Sequence, residues 1–331
     1  MDIFSLDIGG AFIKTAYLPE RSASIRDGAK RGIVEFPMYR EEKRLVSVLK
    51  KLKPKSKSAE VVVTMTGELC DSFPDRKRGV RHIVKSAVEV FGDETKIFGR
   101  HGEFFRPAVA MKKWEEVASA NWSAIPILLS QKADSFLHVD IGSTTTDLTP
   151  LRNGKVANRG WDDFGRMKNS ELLYTGYLRT PIGSVVGSFS IDGDDIPVVP
   201  EYFALMGDVY LALGMIDKKG YAIDTPDGAP KTKAASLARL ARTVLSERKI
   251  LEDETLLDMA RQAVKTQRKR IVDAILKHRL DVIVTGRGSF ILDEALSCGD
   301  IKRAEIDFGP VDISNLDPSM AIALIRRGML G

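Results

Sequence analysis

The sequence predicts an α/β chain of two lobes. Apolar runs of strand length alternate with stretches of helical periodicity through all 331 residues, the pattern of strands and helices packed in layers. The run Leu6-Asp7-Ile8-Gly9-Gly10 is echoed by Val139-Asp140-Ile141-Gly142-Ser143-Thr144-Thr145-Thr146-Asp147, one copy in each half. The length, with 44% hydrophobic residues, supports two cores rather than one. The boundaries read as 1–135 and 136–331, with a final helix at 318–327 free to pack back on the first lobe.

Residues 3–8 read as a buried strand, and Ile13 to Tyr17 as its hairpin partner after Gly9-Gly10. Gly32 to Pro37 predicts another strand and Arg44 to Leu52 a helix. Glu60 to Thr66 is a buried strand stopped by Gly67. Gly79 to Phe91 carries Val80, Ile83, Val84, Ala87, Val88 and Phe91 at helical spacing. Lys96 to Phe98 reads as a short strand. Trp114 to Leu129 predicts one helix, kinked at Pro126.

Phe136 to Asp140 opens the second lobe. Leu148 to Leu151 and Lys155-Val156 flank Asn153-Gly154, a hairpin-turn signal. Tyr202 to Leu213 predicts a helix and Lys218 to Thr232 a polar loop. Ala234 to Leu245 and Glu254 to Leu276 predict long amphipathic helices. Asp281 to Thr285 is a buried strand ended by Gly286-Arg287-Gly288, and Pro318 to Arg327 is the last helix.

The net charge is +5 and the pI about 9.0, a mildly basic balance suited to an anionic small molecule. Its cations are mixed with acids except in Lys50 to Lys57, which reads as a solvated loop, so no nucleic-acid partner is expected. Cys70 and Cys298 lack the spacing of a zinc site or a disulfide framework. No signal peptide and no run of 18 apolar residues is found, so a cytoplasmic chain without a membrane partner is expected.

The two Asp-Ile-Gly turns carry the chemistry. Their glycines let a ligand approach the backbone. The amides and hydroxyls that follow suit a phosphate group, and Asp7 and Asp140 suit a magnesium ion, directly or through water. In each copy the Asp reads equally as a cap on a tight turn. A hairpin rather than a helix follows the first motif, which argues against a dinucleotide-binding Rossmann unit, and no P-loop motif is present.

In order, Asp7 to Gly10, Asp140 to Asp147 and Thr285 to Gly288 resemble the phosphate loops and late glycine turn of the actin-like, sugar-kinase-like ATPase superfamily. Thr66-Gly67-Glu68-Leu69, Lys77-Arg78-Gly79-Val80, Ala118 to Trp122, Glu171 to Pro181, Tyr202-Phe203-Ala204 and Asp208-Val209-Tyr210 are similar to its hydantoinase/oxoprolinase-related family, which includes an enzyme of methanofuran biosynthesis. The chain departs from the family pattern at Ala11-Phe12-Ile13 and at Thr243 to Glu247.

The resemblance implies a two-lobed actin-like (ribonuclease H-like) fold with a central ligand cleft. It implies a transferase that condenses 5-(aminomethyl)-3-furanmethanol diphosphate with γ-glutamyltyramine, forming an aryl ether and releasing pyrophosphate. The alternatives are an ATP-dependent small-molecule kinase or amidohydrolase, or a nucleotide-binding protein without catalysis. Magnesium is the implied cofactor, ATP is allowed but not required, and a homo-oligomer is allowed.

Such chemistry needs donors for the departing pyrophosphate and a base for the phenol. Gly9, Gly10, Gly142, Ser143, Thr144, Thr145, Thr146, Gly286 and Gly288 fit the phosphate loops. Lys14 is either a phosphate ligand or a surface residue on an edge strand. Arg179 either neutralises the diphosphate or sits in a structural ion pair, and Arg287 is either a second such ligand or a solvated turn residue. Glu68 is the best candidate base, with a helix cap as its rival role. Asp7, Asp140, Glu68 and Lys14 are thus the candidate catalytic residues. Asn121-Trp122 either contributes to the site or simply packs a helix. Tyr174 and Tyr177 either line an aromatic pocket or fill the core, and no histidine shows ligand spacing.

Overall fold

Strand β1 (Ile3–Ile8) is buried at every residue, as a central strand flanked on both sides must be. It pairs antiparallel with β2 (Phe12–Leu18) and parallel with β4 (Glu60–Met65), and β3 (Lys30–Glu35) pairs with the far side of β2. β5 (Lys96–Phe98) and β6 (Phe104–Phe105) complete the order β3-β2-β1-β4-β5-β6. The computed structural model describes residues 1–20, 29–56, 58–306, 313 and 316–328; Lys57, at the end of the basic run, lies outside them.

Alternation along β1 sorts its side chains between two faces. Phe4, Leu6 and Ile8 join a core with Leu45 and Leu49 of helix Leu45–Leu52 and with Val80, Ile83, Val84 and Ala87 of helix Arg76–Phe91. Asp7 belongs to the opposite face. There helix Pro318–Arg327 packs on β1, β2 and β4. Asp317 caps that helix by accepting from the Met320 amide at 3.0 Å, Pro318 takes its first position and Gly328 ends it at φ +71°.

By contacts the chain forms two compact units, 1–135 with 149–157 and 305–331, and 136–148 with 158–304. The core of the second unit forms on a sheet in which β7 (Phe136–Ile141) lies between β8 (Thr146–Arg152) and β13 (Val282–Thr285); β9 (Lys155–Val156), grouped with the first unit, pairs with β8, as does β10 (Leu172–Leu173). β7 and β13 run parallel, with Asp140 opposite Thr285. A separate hairpin joins β11 (Ser188–Ile191) to β12 (Asp194–Pro197). Helices Met206–Ala212, Lys233–Arg242 and Asp253–Leu276 supply the rest of this core against Leu137, Val139, Ile141, Val282 and Val284.

The expected α/β class holds, with local corrections. Trp114 to Leu129 is not one helix kinked at Pro126. Helix Trp114–Val117 stops at Ala118, Ser119 turns left-handed at φ +47°, and helix Ala124–Leu129 begins after a 3-10 turn. Pro126 lies in the first turn of that helix, where its missing N–H has no intrahelical partner to lose. The helix expected from Tyr202 begins at Met206. No described helix is long and apolar enough to cross a membrane.

Candidate functional site

In the first unit the site is built on the ends of two parallel strands, β1 and β4. Asp7 is 4% exposed, and its Oδ1 accepts no hydrogen bond among the described residues. Burial pushes its pKa up to about 6; Lys14 opposes the rise, Asp317 adds to it, an Asn121 hydrogen bond lowers it and Glu68 raises it. Those causes place an amide, a cation and two further carboxylates around one buried acid. Lys14, on β2, lies directly opposite Asp7 on β1, with Nζ 4.0 Å from Oδ2. β3 covers the outer side of β2, so Lys14 is not on an edge strand as one reading had it.

Glu68, 1% exposed, sits in the 3-10 turn Gly67–Leu69 that ends β4. Its Oε1 accepts from Ser119 Oγ at 2.7 Å and faces Arg76 Nη2 at 3.5 Å. Arg76 Nη2 also donates to Ser119 Oγ at 3.0 Å. The helix that follows, Arg76–Phe91, is capped by Asp75, whose Oδ1 accepts from the Arg78 amide at 2.7 Å. The left-handed backbone at Ser119 costs about 1 kcal/mol or more for a residue with a side chain. What it delivers is the hydroxyl that fixes Glu68. Sequence reading gave no role to Arg76, and none to Ser119, through which it ran a helix.

In the second unit the loop after β7 is folded on itself and then clamped. The Gly142 amide donates to Thr145 O at 2.9 Å. The amides of Tyr177, Leu178 and Arg179 donate to the carbonyls of Gly142, Ser143 and Ser143 at 3.1, 3.1 and 2.8 Å. Ser143, Thr144 and Thr145 are partly exposed, whereas Thr146 is buried with its hydroxyl donating to Thr175 O at 2.7 Å. Of the four hydroxyls expected to face a ligand, that of Thr146 is therefore committed to the fold. Thr145 Oγ1 lies 3.4 Å from Asp147 Oδ2, and Asp147 Oδ1 receives buried Arg166 at 2.6 Å. That ion pair was not foreseen.

Gly286 and Gly288 stand where the late turn passes the loop. At Gly286, φ is +84° and an added Cβ would fall 2.2 Å from Asp140 Oδ1 and 2.5 Å from Ile141 O. The Gly288 amide donates to Ile141 O at 3.0 Å. Asp140 is partly exposed, and Arg179 and Arg287 are exposed. Neither arginine forms an ion pair among the described residues, so the structural-pair reading of Arg179 has no support. Tyr177 is in the core and Tyr174 is 64% exposed. His138 is buried against Thr285 Oγ1 at 2.8 Å, and burial pushes its pKa down to about 3, which keeps it neutral.

Among the described residues, no group of three or more His, Cys, Asp or Glu side chains could hold a metal. A magnesium ion asks less of a protein: one or two carboxylates, with water and substrate phosphate completing its octahedron. The orphaned Oδ1 of Asp7 and the partly exposed carboxylate of Asp140 each fit that requirement singly.

Comparison with known proteins adds the context. The hydantoinase/oxoprolinase family model matches residues 60–323. A protein of Methanocaldococcus jannaschii named (4-{4-[2-(gamma-L-glutamylamino)ethyl]phenoxymethyl}furan-2-yl)methanamine synthase is 32% identical over 99% of this chain and 98% of its own length. A protein of the same name from Methanococcus vannielii is 36% identical over 61% of this chain and 96% of its own. Among solved structures, nucleotide-free acetone carboxylase shares the fold with a TM-score of 0.52 at 10% identity, covering 90% of this chain and 67% of that one.

Proposed function

This chain belongs to the hydantoinase/oxoprolinase family, and we propose that within it the chain forms the aryl ether for which its relatives are named. The reaction joins the phenol oxygen of γ-glutamyltyramine to the exocyclic methylene carbon of 5-(aminomethyl)-3-furanmethanol diphosphate. The carbon–oxygen bond to the diphosphate breaks with its electron pair leaving on pyrophosphate. A lone pair of the phenol oxygen forms the new bond, and the phenol proton passes to a base. The observation that carries this reading is the 32% identity to a synthase of that product, end to end along the chain.

The furan ring delocalises the positive charge of the ionising carbon, so the protein's main task is to stabilise the departing pyrophosphate. That task is assigned to the loop Gly142–Thr145, with the exposed guanidinium of Arg179 at its rim and Arg287 on the late turn. Preorganised donors of this kind act where charge develops. Gly9, Gly10 and Lys14 form the corresponding elements of the first unit. The proton acceptor is assigned to Glu68, held in one orientation by Ser119 and Arg76. Asp7 and Asp140 are the residues suited to hold magnesium, which would neutralise diphosphate charge.

The test is direct. The purified chain is incubated with both substrates and magnesium, and the ether is sought by mass spectrometry alongside released pyrophosphate. Formation of both in equal amounts is the expected result. Hydrolysis or transfer of ATP phosphate to a small acceptor, without ether, would replace this reading with the kinase or amidohydrolase one.

A further inference from the structure

Gln267 is a polar side chain in an apolar place. It lies on helix Asp253–Leu276 and is fully buried in the core of the second unit, two turns from Ala260 and one from Ala263 and Ile271. Burying an amide there is unfavourable unless every donor and acceptor is used. Its Nε2 donates to Thr175 Oγ1 at 2.7 Å and to Gly176 O at 2.9 Å. Its Oε1 receives the hydroxyl of Tyr210. The orientation is fixed by chemistry, since a backbone carbonyl can only accept and the NH2 must face it. Burial raises the Tyr210 pKa, so that hydroxyl stays protonated and remains a donor.

The two residues that Gln267 holds are the ones on which the loop of β7 rests. Thr175 O accepts the Thr146 hydroxyl. A Cβ on Gly176 would fall 2.5 Å from Gly142 O, 2.6 Å from Ser143 C and 2.6 Å from Thr144 N, so the loop lies flat against that glycine. Thr180 closes the far end of the segment: its Oγ1 accepts from the Gly176 amide at 2.8 Å and donates to Gly176 O at 3.0 Å. Between these anchors the amides of Tyr177, Leu178 and Arg179 grip the loop carbonyls.

We propose that Gln267 is a positioning residue for anion binding: through Thr175 and Gly176 it sets both the loop Gly142–Thr145 and Arg179 in the geometry that receives a diphosphate. It touches no substrate. The inference rests on the assignment of diphosphate to this loop, and its test separates the two. Buried supports of this kind matter because a small displacement of donors is costly to the chemistry while the fold survives.

The test uses the full-length protein with Gln267→Met, which keeps length and burial but removes both donors and the acceptor, and Tyr210→Phe, which removes only the bond that orients the amide. Three quantities are read: pyrophosphate affinity with magnesium, kcat and KM for each substrate, and amide hydrogen exchange at Gly142 to Thr145. Gln267→Met is expected to weaken pyrophosphate binding and lower kcat by about tenfold or more, to leave the KM of the phenol unchanged and to speed exchange in the loop; Tyr210→Phe moves the same quantities less. Normal kcat and pyrophosphate affinity with unchanged loop exchange would overturn the proposal. If Gln267→Met does not fold, Tyr210→Phe decides by the same readings. If the wild type binds no pyrophosphate, the diphosphate assignment fails, and loop exchange alone then decides whether Gln267 positions the loop.

Discussion

Asp7 and Lys14 are cross-strand partners, and the pair is unequal. Asp7 is 4% exposed, while the Lys14 side chain remains 39% exposed with its Nζ 4.0 Å from Asp7 Oδ2. The separation is at the edge of ion-pair contact, so the lysine offsets only part of the desolvation of the acid. The result is a carboxyl whose pKa burial raises to about 6, well above the usual carboxylate range. A carboxyl so raised is ionised at a cost to stability at neutral pH.

Asp7→Asn should therefore stabilise the protein at neutral pH while abolishing turnover. A raised folded pKa means that the contribution of Asp7 is most favourable below about pH 3.8 and is lost as pH rises through about 6. Replacing the ionised acid by its neutral isostere removes that loss, which on the order of two pKa units amounts to about 3 kcal/mol. Urea unfolding in metal-free buffer at pH 3 and pH 8 checks the sign. A gain confined to pH 8 is expected; equal stability at both values would show that Asp7 is not ionised against its surroundings.

Lys14→Met should act in the opposite direction. The lysine lowers the Asp7 pKa, so its removal drives that pKa further up and widens the pH range over which stability is lost. The same unfolding series should show the variant less stable than wild type at pH 8 and close to it below pH 4. A uniform loss at every pH would assign Lys14 to packing along its stem instead.

Glu68→Gln should lower kcat by about a hundredfold or more if Glu68 takes the phenol proton, with pyrophosphate affinity unchanged. Ser119→Ala leaves the carboxylate in place but removes its hydroxyl donor at 2.7 Å. It should cost about 1–3 kcal/mol of stability and lower kcat less than Glu68→Gln. Normal turnover in Glu68→Gln with an acidic acceptor phenol and a neutral one alike would remove it from the proton path.

The loop hydroxyls divide into two classes that one pair of variants can separate. Thr146→Val orphans the buried carbonyl of Thr175 and should cost about 1–3 kcal/mol of stability. Thr144→Val and Thr145→Val alter partly exposed groups, should leave the unfolding midpoint near wild type, and should raise the barrier by about 2 kcal/mol in at least one case. If Thr144 and Thr145 change only the KM of the phenol, the diphosphate lies elsewhere.

The legible parts of this molecule were those written in local pattern. β1 and β4 are nearly unbroken apolar runs, and helix Pro318–Arg327 announces itself with a capping Asp317, Pro318 in the first turn and Gly328 after the last. Asp-Ile-Gly twice over marked the two strand ends. What sequence could not give was contact across long separations. Ser119 lies 51 residues from Glu68 and Gln267 lies 92 from Thr175, and neither leaves a trace in periodicity. The left-handed turn at Ser119 was hidden because the residues on both sides of it favour helix. The hydroxyl of Thr146 was indistinguishable from its neighbours until β8 turned it inward.

Asp140 and Gly286 carry the last prediction. Asp140→Asn keeps the shape of the side chain and removes its charge, so turnover at saturating magnesium should fall at least about tenfold, or about 1.4 kcal/mol of barrier, with the fold intact. Gly286→Ala should reach the same end by geometry. Its φ of +84° strains any residue with a Cβ, and that atom would lie 2.2 Å from Asp140 Oδ1. Either the carboxylate or the turn must move, and the carboxylate is the softer of the two. The alanine variant should therefore lose stability through the backbone, by about 1 kcal/mol or more, and lose magnesium-dependent pyrophosphate affinity through Asp140. In the double variant the second loss should not add to that of Asp140→Asn alone, because both act on one group. Full additivity in pyrophosphate affinity would show that Gly286 serves the loop by a route that does not pass through Asp140.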